Sequence, residues 1–299
     1  MTIDELRRAA AEFADLARAG ATPVATPVPG LTIVRSRAPT EIAPVLYEPL
    51  FCLVLQGAKQ TSVDGRMLSF RAGQSLVVSH DRPSLSRIVE ASAASPYLAL
   101  ALTLDVHVAA EIAAEMETHG AVPEAAGGAV RVGPTSPGEL DAMARLFGLI
   151  GDAAAVRVLA PTIAREVHFH VLAAGHGAVL KRLGRRDSHA SRITRAIAAI
   201  RRGYAGPLRI ADLAGEAGMS ASAFHEHFRD FTGTTPLQFQ KHLRLMEARR
   251  LILEAGQGVA PAAYAVGYES PTQFSREYSR AFGVAPSRDR PDGAEIAAE

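Results

Sequence analysis

The sequence has a single cysteine, Cys52, among 299 residues. One thiol excludes an intramolecular disulfide framework and a zinc site built from several cysteines. Long hydrophobic runs are also missing: the longest, Leu50–Leu55 and Tyr97–Leu104, are strand-sized, well below the roughly 18–20 residues that cross a bilayer. The N-terminal segment MTIDELRRAAAEF lacks the apolar core of a secretory signal, which is about 7–15 residues long. We therefore expect a protein of the reducing cytoplasm with no membrane partner.

The composition is that of a globular protein, with 48% hydrophobic and 21% charged residues, and the length suits two domains. The net charge of +1 hides an uneven distribution. Residues 188–290 carry a net charge of +5, whereas residues 1–187 carry −1. A basic C-terminal third favours an anionic partner such as nucleic acid.

The N-terminal part has the pattern of a β-rich domain that follows a short helix at residues 3–17. Short apolar runs alternate with turn residues, and Asp64-Gly65 is typical of a hairpin because a type I′ turn needs positive φ at both central positions. Many short strands at close spacing indicate a sandwich or barrel. The predicted strands are 31–34, 49–56, 59–63, 66–70, 75–79 and 97–104.

Helical spacing returns after residue 105. Ser136 and Glu139 form a capping box, which predicts the start of a helix that continues to about residue 150. Further helices are predicted at residues 106–119, about 160–174 and about 177–183, and the polar segment 184–190 is interpreted as a linker.

The C-terminal third repeats itself after 50 residues. Each copy predicts a short helix, a tight turn, a serine that caps a second helix, two aromatic residues at i and i+4 that face inward, and a glycine that ends the helix. This is the pattern of a helix-turn-helix motif, whose second helix lies in the major groove of DNA. The coinciding pairs are Ser220 and Ser270, Phe224 and Phe274, Phe228 and Tyr278, Gly233 and Gly283, and Pro236 and Pro286.

Burial of the aromatic residues leaves a polar face on each second helix, with short side chains and arginines that suit base edges and phosphates. Arg276 is expected to read guanine, and Arg229 and Arg280 to contact phosphates. Residues 236–254 predict a rigid helix that holds the two readers about one DNA turn, roughly 34 Å, apart. The predicted DNA-binding residues are Ser222, His225, Glu226, Arg229, Thr272, Ser275, Arg276 and Arg280.

These residues resemble a known family. The segments LRIADLAGEAGMSASAFHEHFRDFTGTTPLQF and GYESPTQFSREYSRAFGVAP resemble the DNA-binding domain of the AraC/XylS family of bacterial transcription regulators. Upstream, EPLFCLVLQGAKQ, RAGQSLVVS and ASAASPYLALALTLD are similar to the cupin-like β-barrel of one branch of that family. The sequence departs at Glu226, where relatives often have a basic residue; a carboxylate repels phosphate but can accept a hydrogen bond from cytosine N4.

Metal and nucleophilic chemistry find no support in the sequence. A metal-binding cupin needs two histidines one residue apart on a strand, and no histidine precedes His80. His168 and His170 have that spacing, but two positions apart on a predicted helix they point about 200° apart. Cys52 lies in an apolar strand, where a thiol acts as a small hydrophobic group. We expect no metal, no cofactor and no enzymatic activity.

The resemblance implies an α+β protein with two domains: a cupin-like sensory and dimerisation domain at 1–183, the linker, an all-α domain with two helix-turn-helix units at 191–290, and a tail at 291–299. It implies a transcription regulator controlled by a small molecule in the barrel. The expected partners are double-stranded DNA, the effector and a second copy of the chain, with RNA polymerase as a further candidate. Two alternatives stay open: a regulator whose barrel serves only for dimerisation, and a cupin enzyme with an accessory DNA-binding domain.

Overall fold

The computed structural model describes residues 2–63, 66–118, 130–174 and 189–289. The chain divides into two compact units: the first contains most of the strands and the helices up to residue 173, and the second contains the helices from residue 189 onward. The helix expected at 177–183 and the tail from residue 291 lie outside the described residues. Of the expected linker at 184–190, only His189 and Ala190 are described, and both are helical.

The described N-terminal residues contain ten strands in two sheets. The larger sheet has the order β1-β2-β9-β4-β7-β10, and every neighbouring pair in it is antiparallel. The smaller sheet has the order β3-β8-β5-β6. The bounds are β1 Val24–Ala25, β2 Leu31–Ser36, β3 Ala43–Tyr47, β4 Leu50–Gln56, β5 Ala58–Val63, β6 Arg66–Arg71, β7 Gln74–Val78, β8 Arg82–Glu90, β9 Tyr97–Thr103 and β10 Val130–Pro134.

All six strands expected from the sequence are present, as β2, β4, β5, β6, β7 and β9. The hairpin of β5 and β6 is confirmed by the pairing of Val63 with Arg66. Its expected turn, Asp64-Gly65, lies outside the described residues.

The sequence pattern missed β1, β3, β8 and β10, and β8 shows why. Its buried positions include Arg82, Ser84 and Ser86, which alternate with more exposed residues. Because the buried side chains are polar, the strand lacks the hydrophobic alternation by which a half-buried strand is recognised.

Four helices accompany the sheets: α1 Ile3–Leu16, α2 Val106–Thr118, α3 Pro137–Gly148 and α4 Ala153–Ala173. The capping box of α3 is confirmed, with the Glu139 amide donating to Ser136 Oγ at 3.2 Å and the Ser136 amide donating to the Glu139 carboxylate at 2.7 Å. Helix α4 begins earlier than expected, because Asp152 caps it by accepting from two backbone amides and Pro161 lies within the helix rather than near its start.

Six helices lie in the described C-terminal part of the chain: α5 His189–Arg202, α6 Ile210–Glu216, α7 Ala221–Thr232, α8 Pro236–Leu253, α9 Val259–Ala265 and α10 Pro271–Phe282. Residues 42–46 and 81–85, from β3 and the start of β8, belong to the same compact unit. Ser220 and Ser270 cap α7 and α10, and Gly233 and Gly283 end them with φ of 74° and 73°. The repeat of the sequence is therefore a repeat of structure. An α+β protein with a β-rich N-terminal part and a helical C-terminal domain is confirmed.

Candidate nucleic-acid interface

Each helix-turn-helix unit is built on its own aromatic core. Phe224 and Phe228 on α7 are fully buried, with ring centroids 5.5 Å apart, and Phe239 of α8 packs edge-on against Phe228 at 5.7 Å. Phe274 and Tyr278 on α10 are equally buried, with ring centroids 5.4 Å apart. The expectation that these four residues of α7 and α10 face inward is confirmed.

The opposite face of α7 carries the residues expected to contact DNA. Ser222, His225, Glu226 and Arg229 are all exposed. Neither Glu226 nor Arg229 forms an ion pair with any residue that the structure describes. Both charges therefore remain available to an external partner.

The equivalent face of α10 divides into two kinds of residue. Thr272, Arg276 and Arg280 are exposed. Ser275 and Ser279 are half-buried, and each hydroxyl donates to the backbone carbonyl four residues earlier at 2.8 Å. The serine hydroxyl protons are thus used within the helix, which leaves Ser275 to offer only oxygen lone pairs outward.

Gln273 is a residue of this face that the sequence analysis missed. It lies exposed in the first turn of α10, and its side-chain amide donates to Glu277 at 3.3 Å. The sequence could have indicated Gln273, because it is a polar residue next to Thr272 and lies about one helical turn before Arg276.

Helix α8 joins the two units and contributes to both cores. Its 18 residues span about 27 Å at 1.5 Å per residue. Phe239 packs in the first core, and Leu245 and Ala248 pack in the second. The helix expected between the two units is confirmed, and the expected spacing of about one DNA turn stays a prediction.

Arg244 of α8 ties the two units together through the backbone. Its guanidinium donates four hydrogen bonds to carbonyl oxygens, at distances between 2.7 and 3.2 Å. Three acceptors lie in the loop between α5 and α6, next to the first helix-turn-helix unit. The fourth lies in the turn between α9 and α10 of the second helix-turn-helix unit. These acceptors are Tyr204, Ala205, Gly206 and Gly267.

Two further features strengthen this Arg244 clamp. Gln240, one turn earlier on α8, donates to the carbonyls of Tyr204 and Gly206 at 2.9 and 2.8 Å. Gly267 has φ of +88°, and a Cβ there would lie 1.9 Å from the Ala205 carbonyl oxygen. Only glycine permits this approach of the two backbones. The sequence analysis missed the clamp, because its partners are separated from Arg244 by 23 to 40 positions.

The second unit also contains a buried carboxylate that the sequence analysis did not single out. Asp289 is 6% exposed and accepts from Tyr278 Oη at 2.7 Å and from Arg249 Nε at 2.9 Å. Burial and the bond to Asp289 raise the pKa of the Tyr278 hydroxyl well above its ordinary value. This network fixes the end of the described chain to α8 and α10.

Other residues with chemical potential have structural partners. His168 Nε2 accepts from the Asp105 amide at 2.8 Å, its Nδ1 lies 2.7 Å from the Ala164 carbonyl, and burial lowers the pKa of the ring. His168 and His170 lie on α4, as expected for two residues that cannot share an ion. No cluster of three or more histidine, cysteine, aspartate or glutamate residues in the described ranges could hold a metal ion. Among the same residues, no helix has the length and apolar character needed to cross a membrane.

Two helix-turn-helix units with buried aromatic faces, exposed polar faces and a shared spacer define a class of protein, the helix-turn-helix DNA-binding proteins. Family models agree: a helix-turn-helix domain matches residues 213–291, and the N-terminus of AraC-type transcriptional regulators matches residues 27–179. The chain belongs to the AraC family of transcriptional regulators.

Similar proteins include regulators from several bacteria. The probable thc operon regulatory protein of Rhodococcus erythropolis is 35% identical over 86 residues, 28% of this chain and 26% of that protein. ExsA of Pseudomonas aeruginosa, an HTH-type transcriptional regulator, is 30% identical over 87 residues, 29% of this chain and 31% of that protein. The alignments thus span about a quarter to a third of the length of these relatives.

Solved structures are similar over more of the chain. ToxT of Vibrio cholerae with a bound unsaturated fatty acid has a TM-score of 0.58 at 11% identity, covering 86% of this chain and 92% of that one. ToxT bound to (E)-4-(8-methylnaphthalen-1-yl)but-3-enoic acid has a TM-score of 0.59 at 11% identity, covering 86% and 96%. This similarity concerns the fold alone.

Proposed function

We propose that the protein is a sequence-specific DNA-binding transcription regulator that reads double-stranded DNA with α7 and α10. The observation that carries the proposal is the paired arrangement: each helix buries two aromatic residues and exposes polar residues, and α8 spaces the two helices. The proposed contacts are Ser222, His225, Glu226, Arg229, Thr272, Ser275, Arg276 and Arg280.

Within this interface, the exposed arginines have two roles, recognition of bases and contact with phosphates. Arg276, one turn into α10, offers the planar fork that matches guanine O6 and N7. Arg229 and Arg280, nearer the ends of their helices, contact phosphates and supply affinity without sequence preference. Half-buried Ser275 contributes as a hydrogen-bond acceptor only.

The test is selection of binding sites from random duplex DNA by the full chain, followed by gel-shift titration at several salt concentrations. Affinity for the selected site should fall steeply with salt, because bound phosphates release counterions. Arg276→Ala should cost about 1–3 kcal/mol and relax base preference in one half-site, whereas the exposed Arg202→Ala on α5 should leave the preference unchanged. Unchanged binding by Arg276→Ala would show that a different face meets DNA.

We propose further that a small molecule bound in the β-rich domain controls DNA binding by shifting the chain between two conformations. The shared fold with ToxT, which has been solved with an unsaturated fatty acid bound, supports this. The alternative is a β-rich domain that serves only for assembly. A thermal-shift screen of metabolites separates the two, since a specific ligand stabilises the folded state.

The regulator is proposed to act as a homodimer through α4. Val158 and Phe169, 69% and 43% exposed, are 11 residues apart, which is about three helical turns, so they share one face. Sedimentation of the full chain tests this: Val158→Asp should dissociate the dimer, and the exposed Arg157→Asp should not. RNA polymerase remains a candidate partner for activation.

We place the protein in the cytoplasm, where bacterial DNA is accessible, and assign it no enzymatic role. The support for both is its relatives, which are transcription regulators. A cupin enzyme with an accessory DNA-binding domain would be indicated by a stoichiometric metal ion in the purified chain, measured by elemental analysis.

A further inference from the structure

The first turn of α10 carries an exposed amide side chain close to the arginine that is proposed to read guanine. Gln273 is exposed and lies three positions before Arg276. At about 100° per residue, the two side chains leave the helix about 60° apart and about one turn from each other. Residues near the N-terminus of a recognition helix are the ones that reach base edges. Gln273 is therefore placed to meet the same major groove as Arg276.

A neighbouring carboxylate fixes the orientation of this amide. The Nε2 atom of Gln273 donates to Glu277 Oε1 at 3.3 Å, one turn further along α10. An ionised carboxylate only accepts hydrogen bonds, so the amide nitrogen of Gln273, and not its oxygen, must face Glu277. The amide oxygen accepts from no residue that the structure describes. It is therefore left for a donor from outside the chain.

Glu277 is itself held in place from two other parts of the domain. It accepts from Tyr268 Oη at 2.9 Å, in the turn before α10, and its carboxylate lies 3.1 Å from Lys241 Nζ of α8. Tyr268 is 6% exposed, and its ring packs edge-on against Phe274 at 5.3 Å. Burial raises the pKa of the Glu277 carboxyl, but the hydrogen bonds that it accepts outweigh burial and keep this pKa below its ordinary value. Glu277 is thus a fixed, ionised acceptor for Gln273.

The first helix-turn-helix unit has no equivalent of this arrangement. Fifty positions earlier in the repeat, Ala223 stands in place of Gln273, and Gly218 stands in place of Tyr268. Neither alanine nor glycine has a side chain that forms hydrogen bonds. The exposed amide and the residues that orient it therefore occur together in the second unit alone, so any base that they recognise lies in the half-site of that unit.

We propose that Gln273 determines specificity by binding an adenine in the half-site of the second unit, with Glu277 as its positioning residue. A primary amide has two N–H donors and one oxygen, and Glu277 takes one of the donors. The oxygen and the remaining N–H match N6 and N7 of adenine, which glutamine binds in the major groove. The proposal rests on the DNA-binding function proposed above and names a base that this function leaves open.

The experiment selects binding sites from random duplex DNA with the full chain and with its Gln273→Ala variant. The unchanged chain should select an adenine close to the guanine that depends on Arg276. Gln273→Ala should bind this site about tenfold more weakly and lose the preference for adenine, while the preference for guanine is kept. Gln257→Ala, which removes an exposed amide between α8 and α9, is the matched control and should change neither preference.

Base analogues in the selected site test the two hydrogen bonds one at a time. Replacing the adenine by 7-deazaadenine removes N7, and replacing it by purine removes the N6 amino group. Each change should weaken binding by the unchanged chain several-fold and should have no further effect on Gln273→Ala, because both changes then remove the same contact. An equal loss with the two proteins would show that another residue binds the adenine, which overturns the proposal.

Glu277→Ala tests the positioning role. Without the carboxylate, the amide of Gln273 can turn over and offer its nitrogen to guanine O6, so adenine and guanine should be bound more equally at that base pair. A merely structural role would weaken binding to every site alike and leave the preference for adenine unchanged, which overturns the positioning role. Tyr268→Phe removes one hydrogen bond to Glu277 while keeping the ring, and it should shift the preference in the same direction by less.

The outcomes separate this proposal from the general one. If the chain selects no DNA site, it is not a sequence-specific regulator and both proposals are wrong. If it selects a site through Arg276 and Gln273→Ala selects the same bases, the regulator stands and the role of Gln273 is wrong.

Discussion

The two helix-turn-helix units share a backbone plan but close their cores differently. The first unit packs the rings of Phe224, Phe228 and Phe239 together in tilted and edge-on contacts, and these rings carry no polar atom. The second unit replaces one phenylalanine by Tyr278 and anchors its hydroxyl to the buried Asp289. A duplicated motif therefore keeps its packing positions while polar chemistry is added to one copy.

The same contrast holds on the outer faces. At equivalent positions 50 residues apart, the first unit has Glu226 and the second has Arg276, and both are exposed. On the face proposed to meet DNA, one unit thus exposes a carboxylate and the other a guanidinium. We expect the second unit to contribute more to affinity and to guanine recognition.

The largest effect is expected from removing the buried carboxylate of the second helix-turn-helix unit. Asp289→Ala leaves Arg249 and the Tyr278 hydroxyl without their carboxylate, and breaking a buried pair from one side should cost about 3 kcal/mol of unfolding free energy. Urea denaturation of the full chain measures it. Asp230→Ala, at an exposed position of α7, is the control and should change stability by less than about 0.5 kcal/mol. Equal effects of the two substitutions would refute the special role of Asp289.

The next effect tests the coupling of the two units. Arg244→Met removes four hydrogen bonds to backbone carbonyls and should cost about 2 kcal/mol of stability. It should also let the units shift relative to each other, so that a selected DNA site with one extra base pair between its halves loses less affinity than it does with the unchanged chain.

The matched control for the clamp is Arg202→Met, an exposed arginine of α5. It removes the same charge and should leave the spacing preference unchanged. If Arg244→Met lowers stability but keeps the original spacing preference, the clamp supports the fold without setting the distance between the readers.

Exchanging phenylalanine and tyrosine at the equivalent positions 228 and 278 tests the difference between the two cores. Tyr278→Phe removes the bond to Asp289 and should cost about 1 kcal/mol. Phe228→Tyr adds a hydroxyl among the apolar side chains of the first core and should cost at least as much. A neutral or stabilising Phe228→Tyr would show that the first core has room for a polar group. Both values come from denaturation at pH 8.

Tyr278 also gives the second unit an alkaline sensitivity. Burial and Asp289 raise the pKa of its hydroxyl in the folded chain, so the unfolded chain releases that proton first. Stability is therefore complete below about pH 10 and falls as the pH rises above it. Tyr278→Phe should reduce this loss, which denaturation at pH 8 and pH 10.5 measures.

The smallest effect concerns the exposed carboxylate of the first unit. Glu226→Gln removes one negative charge from the face that we propose to meet DNA, and it should raise affinity for unrelated duplex DNA about twofold to threefold. Glu254→Gln, at the end of α8, is the control. A loss of affinity for the selected site would instead indicate that Glu226 accepts a hydrogen bond from a base.

The sequence predicted those parts of the fold that local patterns encode. The repeated serine caps, inward aromatics and terminating glycines defined both units, and the Ser136 capping box defined α3. Strand β8 was missed because Ser84 and Ser86 occupy buried positions, and the start of α4 was missed because Pro161 lies inside a helix.

In the candidate interface, too, the sequence predicted what local patterns encode and missed what depends on distant residues. The exposed positions of α7 and α10 could be inferred from helical geometry once Phe224 and Phe274 were assigned to the core. The roles of Arg244 and Asp289 could not, because each depends on groups far away in the chain that only the folded structure brings near.

Helix α8 couples the unfolding of the two helix-turn-helix units. Since Phe239 completes one core and Leu245 and Ala248 complete the other, neither unit can melt without exposing apolar surface of the rod that both share. Partly unfolded states, in which one helix-turn-helix unit is folded and the other is not, are therefore raised in free energy. We expect the backbone amides at the centre of α8 to be among the slowest of this domain to exchange with solvent.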